Sequence, residues 1–199
     1  MYPVEKLIYF YIILLCIFHF PAQCLSHHWA VPRSSTTHAL ISMLHSWLES
    51  TDEYGATTRA VLFDFRKAFD LIDHHVLVQK LSTYDFPESI MCWILDFLTN
   101  RRQRVKLSCD CVSEWRAVPA GVPQGTKLDP WLFLIMINDL SVTSRSIWKY
   151  VDDTTLAECV EKNGASSMQS RVDREFVTKS RADGFQLNKS KCRVCMPSL

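Results

Sequence analysis

Two short β-rich runs, Ile147 to Val151 and Thr154 to Cys159, are separated only by Asp152-Asp153. Strands meeting across so short a gap form a hairpin. Any fold that accepts this segment must therefore contain an antiparallel strand pair with two carboxylates at its tip. An isolated Asp-Asp pair is more often turn chemistry than a site, so the rest of the chain decides what the tip is for.

Helical and strand patterns alternate along the remainder. Ser34 or Ser35 can cap a helix whose apolar face is Leu40, Met43, Leu44, Trp47 and Leu48, and the polar stretch Glu49 to Gly55 ends it. Arg59 to Phe65 reads as a strand with Asp64 near its C-terminal end. Asp73 caps a helix through Leu77 and Leu81, and Pro87-Glu88 opens another with Ile90, Trp93, Ile94, Phe97 and Leu98 inward, stopped by Asn100. Arg101 to Val118 alternates as a hairpin, Ala120 to Gly125 is a Gly/Pro loop, and Pro130 opens an apolar helix through Leu140. Gly164 to Asp183 reads as a polar helix, and Leu187 to Met196 as a closing strand. Hairpins mixed with helices, without a strict βαβ repeat, predict an α+β domain. A chain of 199 residues can bury one sizeable core.

Three carboxylates thus come from two strand regions: Asp64 from one, Asp152 and Asp153 from the other. Nucleotidyl transfer by polymerases uses two divalent ions about 3.5–4 Å apart. Mg²⁺ takes hard oxygen ligands and keeps several waters, so a few carboxylates and the substrate phosphates suffice. The net charge is +1, so any pull on nucleic acid must be local. Arg101, Arg102, Arg104 and Lys106 form such a cluster, read as phosphate contacts or as an ordinary solvated run. Of the eight cysteines, Cys109/Cys111 and Cys192/Cys195 have the spacing of zinc half-sites, with free thiols the blander reading. His27-His28 and His74-His75 lack partners at metal spacing.

The local words are specific. Phe63-Asp64-Phe65-Arg66-Lys67-Ala68-Phe69-Asp70 resembles motif A of the reverse transcriptases of LINE-type (non-LTR) retrotransposons, in a Jockey-like form. Ala120-Gly121-Val122-Pro123-Gln124-Gly125-Thr126, with Pro130-Trp131-Leu132-Phe133 and Asn138-Asp139-Leu140, resembles motif B. Tyr150-Val151-Asp152-Asp153 resembles motif C, and Gly184-Phe185-Gln186-Leu187-Asn188-Lys189-Ser190-Lys191 motif D. Arg33 to Leu40 is similar to the segment upstream of motif A. The resemblance covers residues 29–197 and implies a right-hand polymerase palm, an antiparallel sheet with packed helices, with truncated fingers and no thumb. It implies an RNA template, a DNA primer and deoxynucleoside triphosphates as partners, and Mg²⁺ as cofactor with Mn²⁺ as the alternative. Asp64, Asp152 and Asp153 would hold the metal, and Lys191 would sit by the leaving pyrophosphate. Phe65, Phe69, Gln124, Gly125 and Tyr150 would bind substrate, Phe69 by closing on the sugar where a 2′-hydroxyl would stand. Arg101, Arg102, Arg104 and Lys106 would contact the nucleic acid. One position departs from the family: Asp129 stands where motif B has glycine before Pro130, with Lys127 near enough to offset its charge.

Residues 1–26 are a separate matter. Leu7 to Phe20 is apolar or aromatic apart from His19, follows Lys6, and precedes Pro21-Ala22-Gln23-Cys24. That is the shape of a signal peptide, and it is short for a membrane span of about 20 residues. A buried hydrophobic segment, or a foreign segment joined to a retroelement fragment, are the other readings. Two functions follow: a reverse transcriptase expected in the nucleus, or an inactive retroelement remnant secreted or membrane-held through residues 7–20.

Overall fold

The structure is a computed structural model that describes residues 35–54, 57–84, 86–126, 128–141, 146–161 and 164–195. The leader, with the expectations attached to it, lies outside the described residues. In chain order the elements are α1 (Thr36–Tyr54), β1 (Thr57–Phe63), α2 (His74–Leu81), α3 (Glu88–Leu98), β2 (Arg102–Gln103), β3 (Arg116–Ala117), α4 (Asp129–Asn138), β4 (Ile147–Tyr150), β5 (Asp153–Val160), α5 (Met168–Arg171), a π-helical segment (Val172–Val177), α6 (Thr178–Ala182) and β6 (Arg193–Cys195). The fold is α+β with antiparallel sheet, as expected. The described chain divides into two compact units, one of residues 69–136 and one of residues 35–68 with 137–195.

The second unit is built on a four-stranded antiparallel sheet in the order β4-β5-β1-β6. Side chains alternate between its faces. Ala60, Leu156, Ala157 and Ile147 are buried within it. Met168, Val172 and Phe176 are buried as well, and the Phe176 ring lies 4.1 Å from that of Phe63. α1 begins at a Ser35 cap, whose Oγ accepts from the His38 N–H at 3.2 Å. It runs on to Tyr54 rather than stopping near Glu49. The predicted apolar face of α1 is only half covered: Met43 and Trp47 are partly buried, while Leu40, Leu44 and Leu48 are exposed.

The first unit packs α2 against α3 and holds the buried first part of α4. Asp73 caps α2 as read from the sequence, its Oδ1 accepting from the His75 N–H at 2.7 Å and Val76 N–H at 3.3 Å. Ile90, Ile94 and Leu98 are the buried face of α3, with Trp93 and Phe97 half-buried and stacked on each other. Asn100 ends the helix segment at φ +56°, a conformation asparagine tolerates. The 102–117 hairpin follows, and its paired stretch is short.

Two regions differ from expectation. The helix read from Gly164 begins at Met168 and passes through a π-helical segment at its centre. The closing strand is confined to Arg193–Cys195, because residues 188–192 turn: the Lys191 and Cys192 N–H groups both donate to the Asn188 carbonyl.

Candidate active site

In the second unit the ladder works as a ruler. Tyr150 pairs with Asp153, which leaves Val151 and Asp152 as the two loop residues of the β4–β5 hairpin. Val151, the first of these loop residues, has φ +53°. On the other side of β5, Phe63 pairs with Thr154. The next position on β1 is Asp64, so the register carries it level with Asp153. Three carboxylates from residues about 90 positions apart in sequence thereby share one end of the sheet.

Segment 186–192 fastens that end. The Arg66 N–H donates to the Gln186 carbonyl at 2.7 Å and the Asn188 N–H to the Asp64 carbonyl at 2.8 Å. The turn after Asn188 brings Lys191 Nζ to 3.8 Å from Asp64 Oδ1. Both side chains keep solvent contact, so this pair is a weak structural tie that leaves a positive charge beside the carboxylates.

The electrostatics have the sign expected of carboxylates gathered for a cation. Burial, then the charges of Asp152 and Asp64, push the Asp153 carboxyl above its ordinary value. Among the described residues, no three His, Cys, Asp or Glu side chains close into a ready-made metal cage. The acids suit Mg²⁺ as a donor set that leaves positions for water and substrate oxygens. Cys109, Cys111 and Cys192 are free thiols, and the side chain of Cys195 lies outside the described residues.

Behind the hairpin, Lys149 is 1 % exposed. Its Nζ donates to the Ile137 carbonyl at 2.7 Å and the Asn138 carbonyl at 3.1 Å, at the C-terminal end of α4. A cation there satisfies carbonyls that the helix leaves open, and it anchors the strand carrying Tyr150. A cleft of about 300 Å³ adjoins the hairpin, lined by Leu40, Met43, Leu62, Trp148, Tyr150 and Asp153 among others.

The first unit holds the Gly/Pro loop, and its hydrogen bonds are dense. Gly121 has φ +79°, and a Cβ there would stand 2.6 Å from the Asp70 carbonyl oxygen; only glycine fits. Its N–H donates to the Ile72 carbonyl, and its own carbonyl is bonded by His74 Nε2 and Arg101 Nη2, both at 2.7 Å. Gln124 Nε2 donates to Asp70 Oδ1 at 2.9 Å. Phe69 accepts from the Val122 N–H and packs its ring 4.7 Å from Phe133. Asp129 is buried at the first turn of α4, where its Oδ2 accepts from the Gly125 N–H at 2.8 Å, and Thr126 Oγ1 accepts from the Asp129 N–H at 3.2 Å. The departure from glycine at 129 therefore supplies a local cap that holds Gly125 at φ +84°.

A family model described as reverse transcriptase (RNA-dependent DNA polymerase) matches residues 20–199. The chain belongs to the reverse transcriptase family. Among curated proteins it is similar to a retrovirus-related Pol polyprotein from type-1 retrotransposable element R2 of Popillia japonica, 25% identical over 104 residues, which is 52% of this chain and 15% of that protein. A second such polyprotein of the same organism is 26% identical over 104 residues, 52% of this chain and 17% of its own length. The chain thus spans about a sixth of these relatives. Among solved structures it is similar to telomerase from Candida tropicalis in complex with a TWJ fragment of telomeric RNA, with TM-score 0.68 and 11% identity over 98% of this chain and 33% of that one. The corresponding complex from Candida albicans gives TM-score 0.62 and 13% identity, over 98% and 35%. At such identity the likeness establishes the shared polymerase palm fold.

Within this member of the family the second unit holds Asp64, Asp152, Asp153, Lys191 and Tyr150, and the first unit holds Phe69, Gln124 and Gly125. Phe65, grouped with the substrate-binding residues from the sequence, is instead a core side chain: its ring lies 5.0 Å from Phe185 and 6.2 Å from Phe176. Arg101 turns inward from the basic cluster to the Leu98 and Gly121 carbonyls, and burial lowers its guanidinium from its ordinary value. His74, read as incidental, bonds the loop. Nothing in its spacing to Gly121 signals that contact, which needs the tertiary fold.

Proposed function

We propose that this chain catalyses RNA-directed DNA synthesis as part of a LINE-type, Jockey-like element. The observation that carries the reading is the register that sets Asp64 beside Asp153 with Asp152 at the turn. Asp64, Asp152 and Asp153 would hold two Mg²⁺ ions, or Mn²⁺, which lower the pKa of the primer hydroxyl and neutralise phosphate charge when bound. The primer 3′-hydroxyl gives its proton to water as its oxygen forms a bond to the α-phosphorus, the bond from that phosphorus to the β-phosphate oxygen breaks, and pyrophosphate leaves. The Lys191 ammonium, held near Asp64, is placed to neutralise or protonate that leaving group. Phe69, Gln124 and Gly125 would receive the deoxynucleotide. RNA template and DNA primer are the expected partners. The nuclear site implied by the family and the secretory route suggested by residues 7–20 separate by the location of a C-terminal reporter.

The test is primer extension on an RNA template with deoxynucleotides and Mg²⁺. We expect extension that falls by at least about a thousandfold in Asp152→Asn and about ten- to a hundredfold in Lys191→Ala, magnitudes typical of lost charge stabilisation and proton transfer. Absence of extension by a folded parent would sink the reading and leave the inactive-remnant alternative.

A further inference from the structure

The 102–117 hairpin carries a cluster of exposed cations and one exposed indole, and the geometry points to it as a binding site for single-stranded RNA, with Trp115 as the platform on which a base stacks. Arg102 pairs with Ala117, Gln103 with Arg116, and Lys106 bridges Val112. Arg102, Arg104 and Lys106 lie within five residues of one another on one arm of the hairpin, and all three are exposed. The Arg104 guanidinium stands 4.7 Å from the centroid of the Trp115 ring, which sets the indole of the other arm beside this cluster. Trp115 is 50 % exposed. The cation–π contact holds the ring in place while half of its surface stays open.

Each part has a use for one class of ligand. A cluster of exposed cations attracts a phosphate backbone, and an exposed indole takes the flat face of any base. The charge is concentrated here: between Arg102 and Arg116 stand four basic side chains against Asp110 and Glu114, in a chain whose net charge is +1. Arg101 is excluded from the site, because its guanidinium is already given to carbonyls at the hairpin's base. A single strand is favoured over a duplex because only unstacked bases can reach the ring.

The site deepens the polymerase reading by naming where a template strand is held, yet it is read by binding alone. The experiment measures fluorescence anisotropy of a short fluorescein-labelled oligoadenylate with the full chain across a salt series. Trp115→Leu should weaken binding by about tenfold or more and leave the salt slope unchanged, and Trp115→Tyr should restore most of the affinity. Replacing Arg102, Arg104 and Lys106 together by Gln should flatten the slope by about two units. Circular dichroism matching the parent guards each variant against misfolding. Unchanged affinity in folded Trp115→Leu, or an unchanged slope in the triple variant, overturns the proposal and assigns the arm, with its exposed Val105 and Leu107, to protein contact instead. Binding that shifts as expected in a chain that does not extend primers keeps the hairpin site and defeats the polymerase reading; extension with binding indifferent to Trp115 does the reverse.

Discussion

Val151 is the residue most at odds with its own backbone. A β-branched side chain at φ +53° stands in the left-handed region that costs about 1–2 kcal/mol for an ordinary residue. It sits between Tyr150 and Asp152, so the strain lies in the turn that presents the carboxylates. Val151→Gly removes the strain but loosens the unfolded chain by about 0.5–1 kcal/mol. We expect a net stabilisation of up to about 1 kcal/mol in urea unfolding; a loss of stability would show that the valine side chain contributes packing that outweighs its strain. At this scale the sequence was legible where chemistry is written in residue type. Asp64, Asp152, Asp153 and Lys191 stand out by residue type, and the sheet register with the 186–192 turn brings them to one end of the sheet. Phe65 was not legible, since the bridge it makes with Leu187 directs its ring among Phe176 and Phe185, and a strand residue's face depends on its partner. Asp129 was legible only as an anomaly; its role needs the Gly125 N–H beside it.

At the scale of elements, β5 and α5 are joined by one carboxylate. Glu158 accepts from the Ser166 and Ser167 hydroxyls, the Ser167 and Met168 N–H groups, and Arg171. Burial pushes its carboxyl up, but the hydrogen bonds from Ser166, Ser167 and Arg171 outweigh that, and it is lowered to about 2. A folded value below the ordinary one means the stabilisation is complete above about pH 4.5 and is lost as pH falls towards 2. It amounts to at most about 3 kcal/mol. Glu158→Gln should flatten the acid limb of a stability–pH curve in that window; an unchanged limb would mean other carboxylates govern acid unfolding. The helical stretch beyond shows why its start and interior escaped the sequence. Met168, Val172, Phe176 and Ser180 are all buried at steps of four, which drift about 40° per step on a regular α-helix. The π segment widens the turns and returns them to one face. That correction follows from packing, and hydrophobic spacing alone does not reveal it.

For the whole molecule, the mixture of hairpins and helices predicted the α+β class, while the strand order β4-β5-β1-β6 was not written locally, because β1 pairs with strands far along the chain. The same long-range pairing unites the acidic residues, so the cation binding proposed for them would be coupled to folding. At about ten times its dissociation constant Mg²⁺ should stabilise by about 1.4 kcal/mol, raising Tm by about 3–6 °C for a chain of this size. Asp152→Asn should abolish the rise, and an equal rise in that variant would place the cation elsewhere. The central place of β1 also sets a timetable on the ribosome. Its partners β5 and β6 are made about 90 and 130 residues later, and at about 5–20 residues per second β1 waits on the order of 5–20 s for the first of them. Through that interval both its edges are open to any passing strand, so the yield of native chain will be governed by how well the nascent polypeptide is shielded before Asp153 emerges.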